Sequence, residues 1–449
     1  LPISYTPLGS NANRPQLPGL LAAGLEICDS SGCDQTDQII KVKRQTRLKK
    51  MLNWRPFNTM PASAFTLVET LGLGYAVKLV KRSLPSISKT DNENSLGLAA
   101  SDRLRPSLNT AGVDLESLVD IAASALSGMG LTTGLARLVL LIGHGSQNQN
   151  NPQRAGLDCG ACCGQTGEVN ARALAELLND PAVRSALSTR HIEVPPTTQF
   201  VAGLHNTTTD DVELFDTDRL PQSHSNDLSA IQQQLADAGA LARRERAPLL
   251  GLTELIDKPE QLYRSIKNRA NDWAQTRPEW GLANNAAFIV APRSKTRHIN
   301  LAGRSFLHDY DHHKDTDRSL LELIMTAPMI VTHWINMQYY ASTVDPERYG
   351  SGNKTLHNVV GGRLGVFEGN GGDLRIGLAR QSVHDGQHWC HEPLRLNVVI
   401  DAPRQAIDDI IAKHDMVANL INNQWLYLFR FSDNGIESYR SGQWCAAEY

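Results

Sequence analysis

No run of eighteen consecutive apolar residues occurs in this 449-residue chain, so run length supplies no argument for a membrane-spanning helix. Neither sign of charge dominates. The 44 Lys and Arg against 47 Asp and Glu leave a formal charge of -3, which gives no overall footprint for nucleic acid and predicts no polybasic membrane patch. Cysteine is sparse and odd in number. The seven thiols, at 28, 33, 159, 162, 163, 390 and 445, are irregularly spaced, which argues against a secreted disulfide framework and for a reducing cytosolic setting. Several familiar signatures are missing too: there is no P-loop, no GxGxxG opening a helix after a strand, and no GxSxG elbow around Ser146. Internal repeats are absent, as is an opening basic segment followed by an apolar one. The chain begins on Leu1-Pro2-Ile3-Ser4-Tyr5-Thr6-Pro7, which reads as a strand entering a proline-limited loop, and it is expected to be part of a longer protein.

A chain of this length exceeds what one core usually supports, so two or three domains, or one elaborated α/β domain, are expected. Residues 9–35, rich in Gly, Pro, Asn and Ser, read as a long loop. Helical character runs from Ile39 to Arg82, residues 83–112 read as a linker, and Leu115 to Leu126 recur at helical spacing up to Gly128. The short apolar run 137–143 predicts a strand buried on both faces, with His144 at its carboxyl end. An amphipathic helix from Glu168 to Leu178 and a strand from Thr198 to Leu204 follow, the order of a parallel βαβ unit. Residues 221–250 predict a polar helix, Ala286 to Val290 a strand, and Ser319 to Tyr340 a long apolar helical region whose Met and Trp side chains read as core. Leu396 to Ile400 predicts another strand, Ala406 to Leu420 a helix, and Trp425 to Phe429 the terminal strand. Three segments result: a helical and loop region with linker (1–112), an α/β region carrying half of a metal site (113–300), and a C-terminal α/β region (301–449).

Chemistry concentrates between 143 and 164. His144 leaves the buried strand, and Asp158-Cys159-Gly160-Ala161-Cys162-Cys163-Gly164 follows on a glycine-rich loop. A neutral imidazole and a thiolate form the soft N/S pair that suits zinc, making His144 and Cys159 the candidate metal ligands. Two donors are half a site. A four-cysteine site would need a second pair, and Cys28 with Cys33 is the one offered. Gly369-Asn370-Gly371-Gly372 reads as a tight turn, while His308, Asp309, Asp311, His312 and His313 read as a solvated loop because near-successive residues cannot all face one ion. His384-Asp385 and His388 to His391 are read the same way.

The stretches Gly143-His144-Gly145-Ser146, Asn150-Asn151-Pro152 and Leu157-Asp158-Cys159-Gly160-Ala161-Cys162 resemble the DabA family. So, in order, do Leu204-His205-Asn206-Thr207-Thr208-Thr209-Asp210, Arg277-Pro278-Glu279-Trp280-Gly281-Leu282, Gly303 to His308, Tyr339 to Asp345, Gly369 to Arg375, Gln381 to Gly386 and His391 to Leu396. The resemblance implies a β-carbonic-anhydrase-like, mostly parallel sheet flanked by helices, with large loop and helical elaborations. It also implies the zinc subunit of a bacterial inorganic-carbon pump, in which His144 and Cys159 match two metal ligands. The family's other two ligands lie in a Cys-x-Asp-x-Arg segment, which this sequence lacks; the nearest cysteine, Cys28, is followed directly by Asp29 and has no such arginine. Cys163 stands where the family usually has glycine. Zinc in such a site lowers the pKa of water toward neutrality, the chemistry needed to hydrate carbon dioxide to bicarbonate. The implied partner is a multi-pass proton-conducting membrane subunit similar to the antiporter-like subunits of respiratory complex I. The implied location is peripheral, on the cytoplasmic face of the bacterial inner membrane, with Ala62 to Val80 and Met325 to Tyr340 as candidate contact surfaces. The other readings are a stand-alone soluble β-type carbonic anhydrase and a non-catalytic scaffold that has lost its metal.

Overall fold

The computed structural model describes residues 1–17, 22–83, 93–99, 101–148, 151–153, 156–159, 162, 164–271, 281–360, 365–433 and 435–447. Cys163, residues 277–280 and part of the expected linker lie outside them. The chain divides into two units. One comprises Leu1–Ala122, Leu135–Asn150 and Ala161–Thr276, and the other Ala123–Gly134, Asn151–Gly160 and Arg277–Tyr449.

The first unit opens with β1 (Ile3–Thr6), β2 (Arg14–Pro15) and β3 (Leu25–Ser30), then the helices α1 (Asp34–Thr59) and α2 (Pro61–Ser83), then β4 (Arg105–Ser107). These strands form one sheet in the order β2-β1-β3-β4, with β1 and β3 parallel and Tyr5 opposite Ile27. The expected loop over 9–35 therefore holds two strands, and the expected linker holds a third. The alternation in β3 is hidden because one of its inward positions is a carboxylate. Asp29 is buried, accepts from the Tyr5 hydroxyl at 2.7 Å and from the Leu8 N–H at 3.0 Å, and has the Arg44 guanidinium 3.8 Å away. Arg44 is itself buried, donating to the carbonyls of Leu8, Asn94 and Leu96.

After α3 (Leu115–Gly128) come β5 (Leu138–Gly145), α4 (Glu168–Asn179), α5 (Pro181–Leu187), β6 (Gln199–Asn206) and β7 (Asp211–Leu214), followed by α6 (Ser225–Arg246) and α7 (Pro259–Asn271). β5 and β6 pair in parallel across α4, as the sequence pattern predicts, and β7 runs antiparallel to β6. The sheet order is β5-β6-β7, so β5 is an edge strand among the described residues. It is half-buried, with Ile142 exposed, and not covered on both faces as the apolar run suggests.

The second unit contains β8 (Ala287–Val290), β9 (Ser305–His308), α8 (Ser319–Thr326), α9 (Pro328–Val344), α10 (Pro346–Tyr349) and the short strands β10 (Gly350–Gly352), β11 (His357–Val360), β12 (Gly365–Glu368) and β13 (Leu378–Ala379). It ends with β14 (Asn397–Ile400), α11 (Arg404–Lys413), α12 (Asp415–Asn422), β15 (Tyr427–Ser432), β16 (Gly435–Arg440) and β17 (Gln443–Ala446). Its main sheet has the order β17-β16-β15-β14-β8-β9, in which β9, β8, β14 and β15 are parallel and β16 and β17 are antiparallel additions. The terminal strand expected at 425–429 is thus followed by two more. Phe288, Val290, Val398, Ile400 and Leu428 of the sheet pack with Leu321, Ile324 and Met325 of α8, Met329 of α9, and Ile407 and Ile410 of α11. Ser319–Val344 has the length and composition of a membrane span, yet it breaks at Ala327-Pro328 and its first half lies in this core. The mixed α/β class is as expected.

Candidate metal centre

His144 is the penultimate residue of β5 and lies opposite His205 of β6 in parallel register. The strand ends where it does because the chain passes back across it. Residues 164–167 lead into α4 directly against β5, and the Gly167 N–H donates to the His144 carbonyl at 2.8 Å. Glycine is required at this crossing: a Cβ on Gly143 would stand 2.5 Å from the Gly167 carbonyl oxygen, and one on Gly145 2.6 Å from the Thr166 methyl.

The loop leaving β5 is held by the loop leaving β6. Thr207 N–H donates to the Gly145 carbonyl at 2.8 Å, Asn206 Nδ2 to the Gln147 side-chain oxygen at 2.8 Å, and Gln147 N–H to the Thr208 hydroxyl at 3.1 Å. Thus Asn206-Thr207-Thr208 acts as a brace for the segment that carries the candidate ligand.

Inside this frame the His144 Nε2 is buried and meets no hydrogen-bond partner among the described residues. Burial, and then repulsion from His205, hold its pKa below the ordinary imidazole value, so the ring is neutral at physiological pH. A neutral imidazole with an available lone pair is the form that binds a metal. His205 has its own partner: its Nε2 lies 3.3 Å from Asp210, which is bound by Arg246 at 2.5 Å. His205 carries a signal the sequence reading passed over. His-Asn-Thr-Thr-Thr at the carboxyl end of β6, the strand parallel to β5, sets His205 at the same height as His144.

Cys159 is buried and belongs to the second unit, whereas His144 belongs to the first. Leu157, two residues earlier, packs with Tyr339, Leu378 and Val383 of that second unit. Cys162 is buried in the first unit and accepts from Asn170 Nδ2 of α4 at 3.5 Å, a contact that ties it to the helix. Cys163 lies outside the described residues.

The alternative pair is a poor fit for metal. Burial, reinforced by neighbouring Asp29, pushes the Cys28 thiol up to about 11, so it stays protonated, while Cys33 is exposed. One cluster departs from expectation. Asp311, His312 and His313 bring their donor atoms within 4.8 Å of one another, the one such trio of His, Cys, Asp or Glu among the described residues. Successive residues do converge here, because the turn after β9 places the two imidazoles 4.0 Å apart. His313 is exposed and Asp311 already has Lys314 at 3.9 Å, so this trio remains a surface turn.

The histidines at 384–391 make contacts of their own, though the buried His391 Nε2, like His333 Nδ1 and His357 Nδ1, meets no hydrogen-bond partner among the described residues. His384 stacks edge-on against Trp389, Asp385 accepts from the N–H groups of Gln387 and His388, and His391 Nδ1 accepts from the Asn284 N–H at 2.9 Å.

Comparison with known proteins then gives the kinship. A family model described as "Probable inorganic carbon transporter subunit DabA" matches residues 1–426. Proteins of that name from Vibrio cholerae serotype O1 and Paracidovorax citrulli are 54% and 55% identical to the chain over 99% and 100% of its length. The one from Acidithiobacillus ferrooxidans is 50% identical over 96%. The chain spans about half the length of these curated relatives, 53%, 54% and 54% respectively. No solved structure matches it. The chain belongs to the DabA family of probable inorganic carbon transporter subunits.

Proposed function

We propose that this chain forms the zinc-binding part of a peripheral subunit of an energy-coupled inorganic-carbon pump, which hydrates carbon dioxide to bicarbonate vectorially on the cytoplasmic face of the bacterial inner membrane. The observation that carries the reading is His144: a neutral imidazole whose buried Nε2 has no partner among the described residues, at the carboxyl end of a parallel strand. His144 and Cys159 would hold the ion, their N and S donors matching zinc's preferences. When bound, zinc supplies a Lewis acid that lowers the pKa of a coordinated water toward neutrality.

The chain's own residues do the rest. The crossing at Gly143 and Gly167 fixes the strand end, the Asn206–Thr208 brace orients the following loop, and burial of His144 together with repulsion from His205 keeps the ring unprotonated. Two further ligands are assigned to a Cys-x-Asp-x-Arg segment of the longer protein. Chain 1–449 alone then binds zinc weakly. The fold we assign around this centre is β-carbonic-anhydrase-like, and the partner is a multi-pass proton-conducting membrane subunit that couples bicarbonate formation to the proton gradient.

The test is zinc content and carbon-dependent growth with the full-length protein. His144→Ala and Cys159→Ser should each lower zinc from about one ion per chain to a small fraction of that. Each should also abolish growth in air in a strain that depends on this pump. Zinc retained by both variants, with growth intact, would overturn the assignment.

A further inference from the structure

The hairpin of α1 and α2 exposes many large apolar side chains among the described residues. α2 packs substantially against α1 and against no other element among the described residues. Its large apolar side chains are exposed: Phe65 at 79%, Leu73 at 89%, with Val68, Val77, Leu79 and Val80 all above half. At 100° per residue these six, with Leu71 and Tyr75, cover about 240° of the helix circumference. A helix that is apolar over most of its circumference belongs in an apolar medium, since docking into a protein groove needs only one stripe.

The adjoining helix has the opposite character. Residues 38–68 contain seven Lys and Arg and no Asp or Glu. Two of these anchor the base of α1: Arg44 as described above, and Arg47, which donates to the Gly97 carbonyl at 3.0 Å and lies 3.7 Å from Asp102. Lys43, Lys49 and Lys50 are exposed, among the apolar side chains of Val42, Met51 and Leu52. The near-neutral composition of the whole chain averages over this local excess.

We propose that the α1–α2 hairpin is a membrane anchor, with α2 seated at the boundary of headgroups and acyl chains and the α1 lysines on the phosphates of anionic lipid. Apolar burial and charge attraction act together in such anchors, and the second signal selects anionic membranes. This inference rests on the peripheral-membrane reading above and names the element and the lipid chemistry that accomplish it. Glu69 is the single acid in α2.

The experiment is flotation of the full-length protein with vesicles of phosphatidylglycerol and phosphatidylethanolamine, against vesicles of phosphatidylcholine alone. The wild type should float with the anionic vesicles and about a hundredfold less with the neutral ones, which offer nothing to the three exposed lysines. Phe65→Asp with Leu73→Asp should abolish flotation, and Lys49→Gln with Lys50→Gln should weaken it about twenty-fivefold, each lysine being worth roughly fivefold near an anionic surface. All four positions are exposed, so circular dichroism and zinc content should match the wild type. Retained zinc with lost flotation separates this anchor from the metal assignment, and lost zinc in His144→Ala with flotation intact separates them the other way. A wild type that stays at the bottom of the gradient overturns the proposal, as do charged α2 variants that float normally. Wild type that ignores vesicles but co-purifies with the membrane subunit through Leu73 overturns the lipid assignment in favour of a protein contact.

Discussion

Substituting Gly143 by alanine puts the architecture of the site to a quantitative test. The added Cβ would lie 2.5 Å from the Gly167 carbonyl oxygen, 2.6 Å from its carbonyl carbon and 2.8 Å from its Cα. All three atoms are backbone, so no rotamer change relieves the clash. Reaching an ordinary contact of 3.4 Å requires the two chains to separate by about 0.9 Å, which breaks the 2.8 Å bond from Gly167 N–H to the His144 carbonyl. Overpacking of this kind costs about 1–3 kcal/mol and the hydrogen bond about 1 more, giving an expected loss of about 3 kcal/mol. The matched control is Gly74→Ala in α2, where a Cβ meets nothing within 4 Å and the helix should gain about 0.5–1 kcal/mol. Urea unfolding followed by circular dichroism gives both values, and zinc content of the full-length Gly143→Ala protein should fall because the strand end moves. A Gly143→Ala protein within 0.5 kcal/mol of wild type, with zinc unchanged, would refute the claim that this crossing sets the position of His144.

Three further outcomes follow from named contacts. Burial, with Arg304 adding to it, holds the His391 imidazole down to about 4, while the unfolded ring titrates near 6.5. Between those values the unfolded chain binds more protons, so stability should fall as pH drops from 6.5 to 4, by up to about 3 kcal/mol, and His391→Asn should flatten that window in urea titrations. Arg44→Met leaves Asp29 buried beside the Tyr5 hydroxyl without its cation, and should cost about 3–5 kcal/mol in the same assay. Alkylation at pH 8 read by mass spectrometry should label exposed Cys33, whose thiol is lowered by hydrogen bonds from Thr36, well before Cys28, which burial raises to about 11; equal rates would contradict this.

Much of the molecule was legible in the sequence wherever apolar periodicity and burial agree. The β5–α4–β6 unit, α6 and the β8 and β14 strands follow directly from it. It failed where a core position is polar: β3 was invisible because Asp29 faces inward, and β4 because it is a three-residue strand containing Pro106. It also missed the breaks at Ala327-Pro328 and His414, which divide single apolar patterns into α8 and α9 and into α11 and α12. At the site, His144 was legible as a residue at a strand end. Its neighbour His205 and the brace from Asn206 to Thr208 depend on parallel register between strands more than fifty residues apart, which no local pattern contains. A unit built from three separate stretches, as the first one is, likewise leaves no compositional boundary. The polybasic helix α1 was averaged away by acids elsewhere in the chain.

Zinc K-edge X-ray absorption on the full-length protein tests the metal assignment most directly. A centre that includes His144 and Cys159 should show sulfur at about 2.3 Å and imidazole nitrogen at about 2.0 Å. The Cys159→Ser variant should lose part of the sulfur shell, and His144→Ala should lose the imidazole scattering from any residual ion. Spectra unchanged in both variants, or a shell of oxygen alone, would contradict the account.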